Sequence, residues 1–126
     1  MKKAIQFPAG KTGGPPLSSA VKVGSRLYLS GQTPMNLVTG EFIEGDITVQ
    51  TKQVLDNIKL VLESCGASLD QVVKVVVYLT DLNDFAPFNE VYKQYFSEPY
   101  PVRTLVGARL LFTFHVEIDV IAELGE

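Results

Sequence analysis

The chain has 126 residues, 46% of them hydrophobic, with 11 Lys and Arg against 14 Asp and Glu and a formal net charge of −3. That length suits one domain over residues 1–126 with one core, and the charge balance argues against a protein whose main partner is a nucleic-acid backbone, which clustered cations mark. One cysteine, Cys65, excludes an intrachain disulfide framework; no run reaches membrane-spanning length, and the opening Lys2-Lys3 pair is not followed by the apolar stretch of a signal peptide, so a reducing, cytoplasmic location is expected.

The first stretch, through "GKTGGPPLSS", is rich in Gly, Pro and Ser and reads as irregular chain. "AVKVG" and "RLYLSGQ" alternate apolar and polar residues around Gly24-Ser25, the pattern of a hairpin with a two-residue turn. "NLVTGEFIEGD" is a turn-rich connection bending at Thr39-Gly40-Glu41. Asp46 then caps a helix in which Ile47, Val54, Ile58, Val61 or Leu62, and Cys65 recur on one side, with Gly66 as its left-handed stop. "QVVKVVVYLTD" is apolar and β-branched enough for a strand covered on both faces. Asp84 opens a second helix that tolerates Pro87 in its first turn and carries a core-packing stripe of Phe85, Phe88, Val91, Tyr92, Tyr95 and Phe96. "VRTLVGA" and "HVEIDVIAEL" are the last strands. The order is β-β-α-β-α-β-β, an α+β layer with both helices on one sheet face. So apolar a composition in a small chain implies that some of it lies at a subunit interface.

Few residues offer chemistry. One His and one Cys cannot make a conventional zinc site, so no metal is expected; Cys65 reads as an inert packed thiol, and His115 as a residue at a strand start. Arg103 and the acids of the last strand are left. Alternation puts Arg103 on a face with Leu105 and Gly107, and puts Glu117, Asp119, Ile121 and Glu123 opposite Val116, Ile118, Val120 and Ala122. A solvated face accounts for those acids as well as a site does. If the last two strands form a hairpin turning near residues 110–114, Glu117 falls opposite about Gly107, on the face of Arg103, but roughly 13 Å along the strand from it. Either a small anion with its water spans that gap or a neighbouring subunit completes the site.

The C-terminal run "PVRTLVGARLLFTFHVEI", with "VKVGSRLYLSGQTP", "LDNIKLVLESCGASLDQVVKVVVYLTDLNDF" and "FNEVYKQYF", resembles the RidA/YjgF family of imine and enamine deaminases over nearly the whole chain. The resemblance implies a chorismate-mutase-like fold assembled as a homotrimeric barrel, with a site in each cleft between subunits. It also implies cofactor-free hydrolysis of 2-imino or 2-enamino acids to 2-oxo acids and ammonia. Residue by residue, it makes Arg103 the carboxylate anchor, for which a planar fork suits better than an ammonium, and Glu117 the acid that handles the water's proton. Asn89 lines the cleft, Ser30 and Gly31 bring backbone close to the ligand, and Leu105 presents main-chain groups to the reacting carbon. This chain departs from the family pattern at Leu17, where a tyrosine is usual, at Thr104, at Leu105, where cysteine is common, and in "LLFTFH", which replaces a more polar turn one residue longer. A greasier pocket is expected. Two other functions fit the same residues less well: a non-catalytic binder of small carboxylates or 2-oxo acids and, weaker because no basic patch exists, an RNA-binding or RNA-cleaving protein.

Overall fold

The computed structural model describes residues 1–10 and 13–125. Its strands are β1 (Lys3–Ile5), β2 (Ala20–Val23), β3 (Arg26–Leu29), β4 (Val72–Leu79), β5 (Val102–Gly107) and β6 (Val116–Glu123), and its helices are α1 (Ile47–Ser64) and α2 (Phe85–Tyr95). The strands form one sheet in the order β1-β2-β3-β6-β4-β5, antiparallel throughout except for the parallel pair β4 and β5. The expected α+β architecture, two helices on one sheet, is present. No described helix is long and apolar enough to cross a membrane.

Local signals account for most element ends. The Asp46 side chain accepts from the Val49 N–H at 3.0 Å and caps α1, and Gly66 ends it at φ +76°. Ile47, Val54, Leu55, Ile58, Val61 and Leu62 bury the helix stripe against Leu27, Val75, Val77, Leu79, Val116, Ile118 and Val120 of the sheet. Fully burying each such side chain contributes about 1.5–3 kcal/mol before the entropy of ordering is subtracted.

The structure corrects five expectations. The opening segment is not wholly irregular: Lys3–Ile5 pairs with β2, adding a strand ahead of the β2–β3 hairpin, while Lys11 and Thr12 of the irregular stretch lie outside the described residues. Asp84 opens α2 as expected, but the helix ends at Tyr95, so Phe96 of the expected stripe lies just beyond it in extended backbone; Asp81 caps the turn before the helix, accepting from the Asn83 N–H at 2.9 Å. In the aromatic stripe Phe88, Val91, Tyr92 and Phe96 are buried, but Phe85 is 46% exposed and Tyr95 is half-buried, its hydroxyl donating to Asp56 of α1 at 2.8 Å. β4 is covered on its helix face only, and Lys74, Val76 and Tyr78 on its other face stay partly open.

The fifth correction matters most. β5 and β6 do not form a hairpin, because β4 lies between them. A parallel neighbour requires a crossover, which α2 provides, and Val75, Val77 and Leu79 are the side chains that most need a central strand. The eight residues 108–115 then only have to step across the width of β4, about 10 Å.

Two buried amides bind the loops to α1. Gln50 Nε2 donates to the carbonyls of Ile43 (3.0 Å) and Thr113 (3.3 Å), while its Oε1 accepts from the His115 N–H (2.7 Å). Asn57 Nδ2 donates to the carbonyls of Thr33 (3.1 Å) and Met35 (2.8 Å), and its Oδ1 accepts from Gln53. Both amides are fully buried. Replacing Gln50 by Leu strands three main-chain groups at once, so Gln50→Leu should lose about 2–3 kcal/mol in urea unfolding. A loss no larger than an exposed substitution causes would mean that water replaces the amide.

Candidate active site

Arg103 lies on β5 opposite Val75 of β4, and therefore on the helix face of the sheet, with Leu105 two residues on opposite Val77. The expected run of Arg103, Leu105 and Gly107 along one face is present. Arg103 is half-buried. Its Nη1 donates to Asn89 Oδ1 of α2 at 2.9 Å, and its guanidinium carbon stands 4.8 Å from the ring centre of Tyr92, 5.8 Å from Phe88 and 5.9 Å from Phe85. Aromatic faces attract a cation at that range. No carboxylate pairs with Arg103 among the described residues.

Glu117 lies on β6 opposite Tyr78 of β4, on the face away from the helices. The shared face expected for Arg103 and Glu117 therefore does not exist. The two face opposite sides of the sheet, since the register of β4 with both neighbours sends the odd positions of β5 one way and those of β6 the other.

On its own side Glu117 has company. Gln32 and Ile118 exchange main-chain hydrogen bonds at 2.8 and 3.1 Å, which lays Gly31 directly against the Glu117 side chain. A Cβ at Gly31 would meet the Glu117 carboxylate, with Cδ only 3.1 Å and Cγ 3.3 Å away. The glycine is there for the acid. Ser30 donates through Oγ to the Ser18 carbonyl at 2.6 Å, holding the segment that carries Leu17 at the same opening. Leu17, Ser30, Gly31 and Glu117 all line one cavity of about 550 Å³.

The predicted residues thus fall into two groups: Arg103, Asn89 and Leu105 on the helix side, and Leu17, Ser30, Gly31 and Glu117 in the cavity. Burial is the main cause that raises the Glu117 carboxyl above its ordinary value, and the charge of Asp119 adds to it. Asp119 is raised too, again by burial first, with Tyr78 and Lys74 acting against it. Neither carboxylate forms a salt bridge among the described residues.

Sequence reading missed the apolar wall of this cavity. Phe42, Phe112 and Phe114 form a ring cluster with centres 4.8, 5.2 and 5.6 Å apart. It also missed Gln50, which holds the loops bearing those rings. A polar residue recurring within the apolar stripe of α1 was the available signal.

The fold and site define a helix-backed mixed sheet that carries, on one face, an arginine without a carboxylate partner among the described residues and, on the other, a half-buried acid beside a glycine. The chain belongs to the RidA/YjgF family: the family model described as endoribonuclease L-PSP matches residues 13–124. It is 52% identical over 108 residues, 85% of either chain, to a "RutC family protein" of Pyrococcus abyssi. It is 40% identical over 121 residues to a 2-iminobutanoate/2-iminopropanoate deaminase of Dermatophagoides farinae, covering 95% of this chain and 94% of that one. Among solved structures, Escherichia coli TdcF with bound serine superposes with a TM-score of 0.86 at 38% identity, covering 96% of this chain and 98% of that one.

Two measurements probe the acid. Because the folded protein raises the Glu117 pKa, its charged form is penalised: the penalty is absent below the ordinary value of 4.5 and complete only above the raised one. Glu117→Gln should therefore be more stable than wild type at neutral pH, with the two melting curves converging as pH falls below 4.5; a constant gap at all pH values would contradict this. Gly31→Ala should push the carboxylate toward water and move its NMR titration back down, whereas an unmoved titration would show that the close approach is not what buries it.

Proposed function

We propose that the chain is a hydrolytic deaminase of reactive 2-imino and 2-enamino acids, such as 2-aminoacrylate and 2-iminobutanoate. It works as a homotrimer, each site taking Arg103 from one protomer and Glu117 from the next. The observation that carries this reading is Arg103 itself. A guanidinium seated on three rings, half withdrawn from water and given no carboxylate among the described residues, suits an anion supplied from outside. Asn89 occupies Nη1 and so fixes the plane of the fork, leaving its other edge for a bidentate carboxylate.

The need for a second protomer follows from the sheet. Arg103 and Glu117 face opposite sides of it, so one copy cannot bring both to one small molecule. The open face also displays Tyr28, Val102 and Val106, with Val102 67% exposed, an apolar surface suited to other copies. Net charge of −3 is consistent with a small-molecule substrate rather than RNA, and the lone Cys65 with a reducing cytoplasm.

The chemistry needs only water. Glu117 as carboxylate accepts a proton from water while the oxygen bonds to the imine carbon and the C=N π pair becomes a lone pair on nitrogen. That nitrogen takes the proton, giving a tetrahedral carbinolamine. Loss of the hydroxyl proton to Glu117 then lets the C=O form as the C–N bond breaks, and ammonia leaves with the proton. An enamine enters after its β-carbon is protonated to give the imine. The raised pKa of Glu117 shifts it in the direction that suits a group which must both take and return a proton. Leu105 and Ser30 line the reacting centre with main chain, and Leu17 stands where relatives carry a phenol, so nothing at that position competes with Glu117 for the water.

A dehydratase that generates the imine in situ, with 2-oxo acid release followed, tests the activity. Arg103→Ala should lower kcat/KM by roughly two orders of magnitude, since removing one partner of a desolvated charge pair costs about 2–5 kcal/mol. Arg103→Lys should not restore it. Mixing equal amounts of Arg103→Ala and Glu117→Gln protomers through unfolding and refolding should recover about one quarter of wild-type activity, because three in four random trimers are mixed and each holds one intact site of three. Ligand binding without turnover would leave a carboxylate binder, and a mixture as inactive as its parents would exclude the shared site.

A further inference from the structure

Resting on the deaminase reading, we infer that this site selects 2-imino acids with large apolar or aromatic side chains, and that Phe42, Phe112 and Phe114 form the pocket for that side chain. The Glu117 cavity holds Glu117 with Ser30 and Gly31 and has further polar side chains at Gln6, Ser19, Gln32 and Thr33, but Phe7, Leu17, Met35, Leu37, Leu111 and the three phenylalanines make most of its wall. A pocket of about 550 Å³ with a few convergent polar groups is built for a ligand with a reactive head and an apolar body.

The loop supplying the rings is costly in isolation. Phe112 and Leu111 are each 70% exposed, and Phe42 is 45% exposed, although Phe114 behind them is buried. Phe112 also has φ +54°, in the left-handed region that a bulky residue rarely occupies. Backbone strain of that kind persists only where surrounding structure holds it, and such strain concentrates at ligand sites. Gln50 does the holding, since its amide binds the Thr113 carbonyl and the His115 N–H on the C-terminal side of the ring. The rings, tilted or edge-on at 4.8–5.6 Å, line the cavity with Phe42 and Phe112 left exposed, apolar surface that can receive another apolar group.

Leu17 extends the same surface. With an aliphatic side chain there, one more lining position of the cavity is apolar, and a methyl-sized substituent would leave the ring cluster wet. A larger one displaces that water. In a hydrophobic pocket each added methylene favours the larger substrate by about tenfold or more until the space is filled.

The experiment uses an L-amino-acid oxidase, with catalase, to release imines from L-alanine, L-leucine and L-phenylalanine, and semicarbazide to compete with hydrolysis for each imine. Wild-type protein should suppress semicarbazone formation from the leucine and phenylalanine imines at least tenfold more effectively, expressed as kcat/KM, than from the alanine imine. In Phe112→Ala that ratio should collapse by tenfold or more, and Phe42→Ala, on a separate loop, should lower it in the same sense. Hydrolysis of all three imines at similar rates, or a preference for the smallest, would overturn the side-chain pocket while leaving the deaminase reading intact. No hydrolysis of any imine would remove the deaminase reading itself. If Phe112→Ala and Phe42→Ala instead lose activity equally on all three imines and sediment as smaller species, the rings are a contact between protomers and the inference fails.

Discussion

The position of β4 between β5 and β6 is the constraint on which everything else rests. Register with one central strand links the two neighbours: Arg103 stands beside Val75, Glu117 beside Tyr78, and those two positions of β4 face opposite ways. Alternation along a strand admits no compromise, because a shift of one residue would expose Val116, Ile118 and Val120 and bury the acids. The apolar demand of β4 thus decides where the chemistry goes. The cation is sent to the helix side and the acid to the open side, and the separation is as firm as the core itself.

Each half-site is then shaped by its own surroundings. On the helix side α2 brings Asn89 and the rings of Phe85, Phe88 and Tyr92 to one place, positions recurring at three and four residues along a helix. The guanidinium gains attraction and a fixed plane without being neutralised. On the open side the Gln32–Ile118 bridge presses Gly31 against Glu117, and the acid is dried by contact more than by depth. α1 governs this side from within the core, for Gln50 and Asn57 hold the residue 33–43 and 113–115 loops that wall the cavity. Core and pocket are mechanically one unit.

Much of this was legible in the sequence, and the failures have a common cause. Helix α1 announced both ends through Asp46 and Gly66, the β2–β3 hairpin announced its turn, and the aliphatic face of β6 followed from strict alternation. Each of these is a local signal. Strand order is not: a run such as "VRTLVGA" carries no mark of whether its partner is the strand before or after it, so adjacency in sequence suggested a β5–β6 hairpin that the more apolar β4 displaced. Once that pairing was assumed, the two charges fell on one face by arithmetic. The same limit hid the phenylalanine cluster, since Phe42 and Phe112 are 70 residues apart and neither sits in a periodic element. β1 escaped because three residues hold too little alternation to be seen.

Apart from Thr104, which brings a hydroxyl, the departures that the family resemblance points to share one physical direction. Leucine for a phenol at position 17, leucine at position 105 and the run "LLFTFH" each remove a hydrogen-bonding group, and none adds a charge. Removing polar groups around an acid strengthens the cause already raising its pKa, because fewer dipoles are left to stabilise the carboxylate. In the proposed shared site, Arg103 from the adjoining protomer spends its charge on the substrate's own carboxylate, so it does little to pull Glu117 back down. Glu117 therefore keeps the raised pKa that its burial gives it. Under the proposed function, one apolar lining both receives the substrate's side chain and helps keep the Glu117 pKa raised, and the loop carrying Phe112 serves both.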